Sequence, residues 1–237
     1  MDSDRNLYFK RQIDLWGEET QEMLREKRIL IVGCGGLGSS LSMALGGSGI
    51  GHIDLVDFDE IDMHNIHRQI SFTMDDIGMK KAEVAAREIE KRCPFVTVTP
   101  FVRDFSSFCG ESEGGYDLIL DATDNMEVRK EIDSWASKEG TPWLYGSVER
   151  FEARICLFEK ASFSSFASAE HIPGGVTAPM VMHTASIQAG MALRYLAGLP
   201  VEKDILYYIY YDRDGSLVHR GFAMPTEEAN QSEGEDR

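Results

Sequence analysis

Four short stretches of the chain carry residue types that suit work on a nucleotide. Residues 33–40 read GCGGLGSS, with three glycines spaced as G-x-G-x-x-G. Backbone amides bare of side chains at a helix start face an anion well, though a strand-to-helix turn needed only for packing uses the same residues. Asp57 closes an apolar run about twenty residues further on, where a carboxylate can accept hydrogen bonds from ribose hydroxyls. Residues 57–72, DFDEIDMHNIHRQISF, bring Asn65, Arg68 and Gln69 just past that run, and IGMKKAE brings Lys81 to a helix start. The glycines and Asp57 suit the adenosine of NAD and of ATP equally. Arg68 and Lys81 separate the two, because cations beside a reacting phosphorus stabilise charge in nucleotidyl transfer and have no use in hydride transfer. Either cation alone reads equally well as surface charge. The fourth stretch is DATDN, residues 121–125, where Asp124 could hold Mg2+ against phosphates or cap the helix that follows.

Strands must present these residues at one edge. RILIVG (28–33), HIDLVD ending at Asp57, VTVTPFV near residue 100, YDLILDAT ending at Thr123 and PWLYGSV from Pro142 read as strands. Helical patterns lie between them at 37–47, at 80–91 closed by Cys93 and Pro94, and at 128–139. Such alternation gives an α/β fold, a Rossmann-like doubly wound and mostly parallel sheet. The rhythm then changes: ARICLFE and ILYYIYYD read as antiparallel strands flanking a long helix from about Pro179 to Ala197. Ahead of the core, residues 6–27 form one or two amphipathic helices. The division expected is an N-terminal helical arm over 1–27, a nucleotide-binding α/β domain over 28–224 and a disordered acidic tail over 225–237.

Composition removes several function classes. The 40 acidic residues against 24 basic ones leave a formal charge of −16, a field that repels nucleic acid and anionic membrane surfaces. No apolar stretch approaches the roughly 20 residues of a bilayer span. The four cysteines, Cys34, Cys93, Cys109 and Cys156, form no C-x-x-C pair, and the start shows no signal-peptide core, which fits the cytoplasm.

In this order and with these gaps, YFKRQIDLWGEETQEML, GCGGLGSS, GSGIGHIDLVDFDEID, HNIHRQ, IGMKKAE, DATDN and GGVTAPM with SIQAGMALRYLAG resemble the HesA/MoeB/ThiF family of ubiquitin-activating-type (E1-like) adenylyltransferases. The resemblance runs from Tyr8 to about Tyr211. It implies ATP-dependent adenylation, with Mg2+, of the C-terminal glycine carboxylate of a small ubiquitin-like sulfur-carrier protein ending in Gly-Gly. It also implies release of pyrophosphate and a place in thiamine or molybdopterin synthesis. By position it puts Gly36 under the phosphates, Asp57 on the ribose, and Asp59 and Asn65 beside the phosphate and metal region. Arg68 and Lys81 would grip the phosphates, and Asp124 with Asn125 would engage Mg2+ and the triphosphate. Arg11 matches an arginine that reaches the partner subunit's ATP site, which implies a homodimer; the alternative is pairing with Glu18 or Glu19 of the arm.

Two departures from the family are visible. The paired C-x-x-C zinc ligands of many relatives are missing, SFSSF (162–166) standing where the first pair would fall, so no zinc is expected. Where thioester-forming relatives place a cysteine, this chain has His171, so activation without a thiol-transfer step is expected. Cys34 reads as a small buried filler, and His64 and His67 stay unassigned. Three other readings stand beside the main one: a catalytically silent scaffold subunit, a same-fold enzyme adenylating a non-protein carboxylate such as a tRNA base, and an NAD-dependent dehydrogenase.

Overall fold

The computed structural model describes residues 2–165 and 174–226. Most of the described arm is helical: α1 (Asp2–Tyr8) leads into α2 (Lys10–Arg25), which breaks at Gly17 where φ is 86°. The core then alternates β1 (Arg28–Val32), α3 (Gly36–Gly46), β2 (His52–Val56), α4 (Lys81–Arg92), β3 (Thr97–Phe101), α5 (Phe105–Glu111), β4 (Leu118–Asp121), α6 (Met126–Glu139) and β5 (Trp143–Glu149). It ends with β6 (Glu152–Phe158), the long α7 (Ala178–Leu196), β7 (Ile205–Tyr211) and β8 (Leu217–Ala223).

These strands form one sheet in the order β3-β2-β1-β4-β5-β6-β7-β8. The first five in that order run parallel and the remaining three pair antiparallel. The chain moves outward from β1 to β3, then returns to pair β4 on the other side of β1. That reversal opens a crevice at the carboxyl ends of β1 and β4, where doubly wound sheets bind ligands. β1 is apolar on both faces because both are covered. Ile29 and Ile31 pack with α3, α4 and α7, whereas Leu30 and Val32 pack with α5 and α6.

The expected fold class holds, including the antiparallel extension. Pro100 is tolerated in β3 because that strand is an edge. Two elements were not foreseen. α5 is a seven-residue helix capped by Asp104, whose side chain accepts from Ser107 N. β8 is almost wholly exposed, so it carries no buried alternation to read.

The arm docks on the end of α3 away from the crevice. Gln12 and Gln21 both donate to Ser48 O, at 2.8 and 3.1 Å. Phe9 is buried against Tyr8 and Phe95. Gly49, with φ of 87°, leaves the space that Gln21 fills; a Cβ there would lie 2.3 Å from Gln21 Nε2. No helix among the described residues is long and apolar enough to cross a membrane. His171 and residues 227–237 of the acidic tail lie outside the described residues.

Candidate active site

The glycine loop leaves β1 in register with the ends of β2 and β4, Val32 pairing Val56 and Asp121. Gly33 has φ of 94°, and a Cβ there would lie 2.9 Å from Ala122 O. A Cβ on Gly38 would sit 1.9 Å from Gly33 O, so glycine is required for the loop to close at all. Gly36 is different: its Cβ would meet Val181 Cγ1 at 3.2 Å and Arg68 Cγ at 3.8 Å. Its bareness keeps the floor of the crevice low beside the Arg68 stem. α3 starts without a side-chain cap, so its first amides are available to an anion.

Asp57 fastens this loop to the end of β2. Its Oδ2 accepts from Cys34 N at 2.7 Å and its Oδ1 from Asp59 N at 2.8 Å. Burial pushes its carboxyl up, with the two amides and the Lys81 charge pulling the other way. Lys81 enters at the start of α4 with its side chain 8% exposed, and its Nζ lies 2.6 Å from Asp59 Oδ2. Arg68 Nη1 donates to His64 O at 2.9 Å and meets His67 Nε2 at 3.0 Å, and it has no carboxylate partner among the described residues. Gln69 is buried beside Gly35, with its Oε1 unpartnered.

Asn65 lies in the same loop, but its amide is engaged there. Its Oδ1 accepts from Asp62 N, while Asp62 accepts from His64 N, a capping box that shapes the turn. In DATDN the cap is Asn125, whose Oδ1 accepts from Glu127 N at 2.8 Å and Val128 N at 3.3 Å. The capping alternative raised for Asp124 therefore falls one residue later. Asp124 is exposed and makes no hydrogen bond or ion pair among the described residues, which fits a hard cation seeking an oxygen ligand. Mg2+ suits this setting, being held by one or two carboxylates together with substrate phosphates.

Arg11 is not brought to this crevice. It is exposed on α2 next to Gln12, which bonds Ser48 just past the far end of α3. The 11 residues of α3 span about 16 Å at 1.5 Å each, so Gly36 and the arm lie at opposite ends of that helix. Neither Glu18 nor Glu19 pairs with Arg11 among the described residues; the arm ion pairs include Arg5 with Glu22 and Lys10 with Asp14. Asp121, Arg129 and Gln188 form a buried group under DATDN that the sequence reading passed over. The one available signal was an Arg a single turn inside the helix that Asn125 starts.

Elsewhere, Cys34 is fully buried and burial drives its thiol well up, as a packing role requires. Ser162 Oγ bonds Asp133, and among the described residues no three His, Cys, Asp or Glu side chains converge on a metal position.

A profile of the ThiF family matches residues 9–231. The chain belongs to the ThiF family. It is 31% identical over 217 residues to the molybdopterin-synthase adenylyltransferase of Salmonella typhimurium, covering 85% of this chain and 87% of that one. It is 34% identical over 143 residues to the sulfur carrier protein adenylyltransferase of Thermus thermophilus, covering 60% of this chain and 53% of that relative, about half its length. Among solved structures, E. coli MccB with MccA-N7isoASN superposes with a TM-score of 0.80 at 20% identity, covering 94% of this chain and 74% of MccB. That likeness is one of fold.

Proposed function

We propose that this ThiF-family chain adenylates the C-terminal carboxylate of a small sulfur-carrier protein with ATP. The observation that carries the reading is the crevice between β1 and β4. It gathers uncapped α3 amides, the loop-tying Asp57, a Lys81 pre-set by Asp59, an Arg68 without a carboxylate partner and an open Asp124. The named adenylyltransferase relatives support the reaction class, and a structure of MccB with ATP supports the nucleotide.

In this reading the α-phosphate rests near Gly36 and the ribose lies near Asp57. A carrier carboxylate oxygen bonds the α-phosphorus as the bond to the bridging oxygen of the β-phosphate breaks, giving an acyl adenylate and pyrophosphate. Arg68 and Lys81 face the charge that develops on the leaving oxygens. Mg2+, held by Asp124, would neutralise charge on the triphosphate. Asn125 and Asn65 contribute by fixing the loops on either side, their amide oxygens being engaged by backbone N–H groups. Since Arg11 stands at the far end of α3, it serves a site only by entering that of a second copy, so the working unit is a homodimer. The arm over 1–27, the adenylation domain over 28–224 and the tail over 225–237 divide these tasks, the arm belonging to dimerisation.

No cysteine of the chain suits a thioester step: Cys34, Cys93 and Cys156 are buried, and burial pushes Cys109 up to about 12. Sulfur then reaches the acyl adenylate from another donor, in molybdopterin or thiamine synthesis. The presence of Arg68 and Lys81 disfavours a silent scaffold, and the acidic charge of the chain disfavours a tRNA substrate.

The test is ATP–pyrophosphate exchange with each candidate carrier ending in Gly-Gly. Exchange with one carrier, lost in Asp124→Ala, supports the reading. Exchange with none moves the scaffold and non-protein-substrate readings ahead.

A further inference from the structure

Asp121 is a buried carboxylate that the proposed reaction does not use directly, and it is gripped from both faces of the sheet. On the α6 face, Arg129 Nε donates to Asp121 Oδ2 at 3.0 Å, both side chains being buried. Arg129 Nη2 also donates to Thr123 O at 2.5 Å and to Gly146 O at 3.3 Å, and its guanidinium lies 5.1 Å from the Tyr145 ring centroid. Asp121 Oδ1 accepts from Thr123 N at 2.9 Å and Thr123 Oγ1 at 2.7 Å. On the α7 face, Gln188 Nε2 donates to Asp121 O at 3.0 Å. Gly146 makes room for it, since a Cβ there would lie 2.1 Å from Gln188 Nε2.

The backbone is therefore fixed at residues 121 and 123 on one side of Asp124 and by the Asn125 cap on the other. A buried ion pair adds little net stability, because both ions lose their water. What this one adds is direction, since the fork of one guanidinium sets the end of β4, the turn after it and β5 together.

We propose that Arg129 and Asp121 are positioning residues, which with Gln188 hold the turn at 123–124 so that Asp124 is presented to the nucleotide crevice before metal or triphosphate arrives. The inference rests on the role given to Asp124 above.

Arg129→Lys tests it, since one ammonium cannot serve Asp121, Thr123 and Gly146 at once. Thr123→Val is a milder second variant that removes only the hydroxyl bond. Calorimetry with a non-hydrolysable ATP analogue, with and without Mg2+, measures how far the metal tightens binding. Arg129→Lys is expected to shrink that tightening about ten-fold, and Thr123→Val about five-fold. Metal-free affinity should stay within about two-fold in both, with cooperative thermal melting retained, a split that a general loss of structure does not produce. The kcat of exchange should fall about 100-fold in Arg129→Lys. Should Asp124→Ala abolish the Mg2+ effect while both variants keep it in full, the network only stabilises the fold and the inference is overturned. Should Asp124→Ala itself leave the Mg2+ effect and exchange intact, the role of Asp124 fails first, and the inference with it. If Arg129→Lys does not fold, Thr123→Val decides alone.

Discussion

Lys81 meets Asp59 at 2.6 Å at the start of α4, nearly buried before any substrate is present. An ammonium held in place costs little further ordering when phosphate arrives, the advantage of a preorganised charge. Lys81→Met is expected to lower kcat of pyrophosphate exchange by about 100- to 1,000-fold. Asp59→Asn, which only frees the lysine, should lower it about ten-fold. Steady-state exchange kinetics on the two variants check the order, and equal losses would mean that Asp59 meets the nucleotide itself. Gly36, Asp57 and Asp124 follow the ends of β1, β2 and β4 as their motifs suggested, and Arg68 and Lys81 lie beside Gly36 and Asp59; the roles given to them are those proposed above. Asn65 and Asn125 were harder, because a short amide beside a helix start competes for the backbone as readily as for a ligand. Arg129 offered only its place one turn inside a helix, and a lone Arg there reads as surface charge until burial is known.

The segment between β2 and α4 has almost no regular structure, yet it carries Asp59, Arg68 and Gln69. It holds its shape through two capping boxes, Asp62 with Asn65 and Thr73 with Asp76, and through the pair of Arg87 with Asp76 at 2.5 Å. Burial alone would raise the Asp76 carboxyl, but the Thr73 amide and hydroxyl and the Arg87 guanidinium together hold it below the usual range. A carboxyl lowered on folding adds stability above its unfolded pKa of 3.8, and that stability is lost as pH falls through the lowered folded value. Asp76→Asn should thus cost about 1–2 kcal/mol at neutral pH, with the gap to wild type closing in acid. Denaturant melts across pH check this, and a gap constant with pH would contradict it. At this scale the sequence showed the core strands because burial on both faces makes each a short apolar run, and the helices because they fill the stretches between those runs. It missed β8 and α5, one exposed and one too short for a pattern to accumulate.

In the whole molecule, the arm sits about 16 Å of helix away from its own crevice, so the role proposed for Arg11 would tie activity to assembly. Mixing Arg11→Ala with Asp124→Ala protein should restore exchange, because a mixed dimer holds one site with both residues intact. Random assortment gives about a quarter of wild-type activity. No recovery, with subunit exchange shown by native mass spectrometry, would place Arg11 outside the partner's site. The central claim is that the α-phosphorus of ATP is transferred to a carrier carboxylate. Its most direct test is to incubate the protein with a Gly-Gly carrier and ATP labelled at either the α- or the γ-phosphate, then isolate the carrier under acid. The expected result is α-label on the carrier, γ-label only in pyrophosphate, and neither on carrier treated with Asp124→Ala; γ-label on the carrier, or none from either ATP with every carrier, would contradict the account.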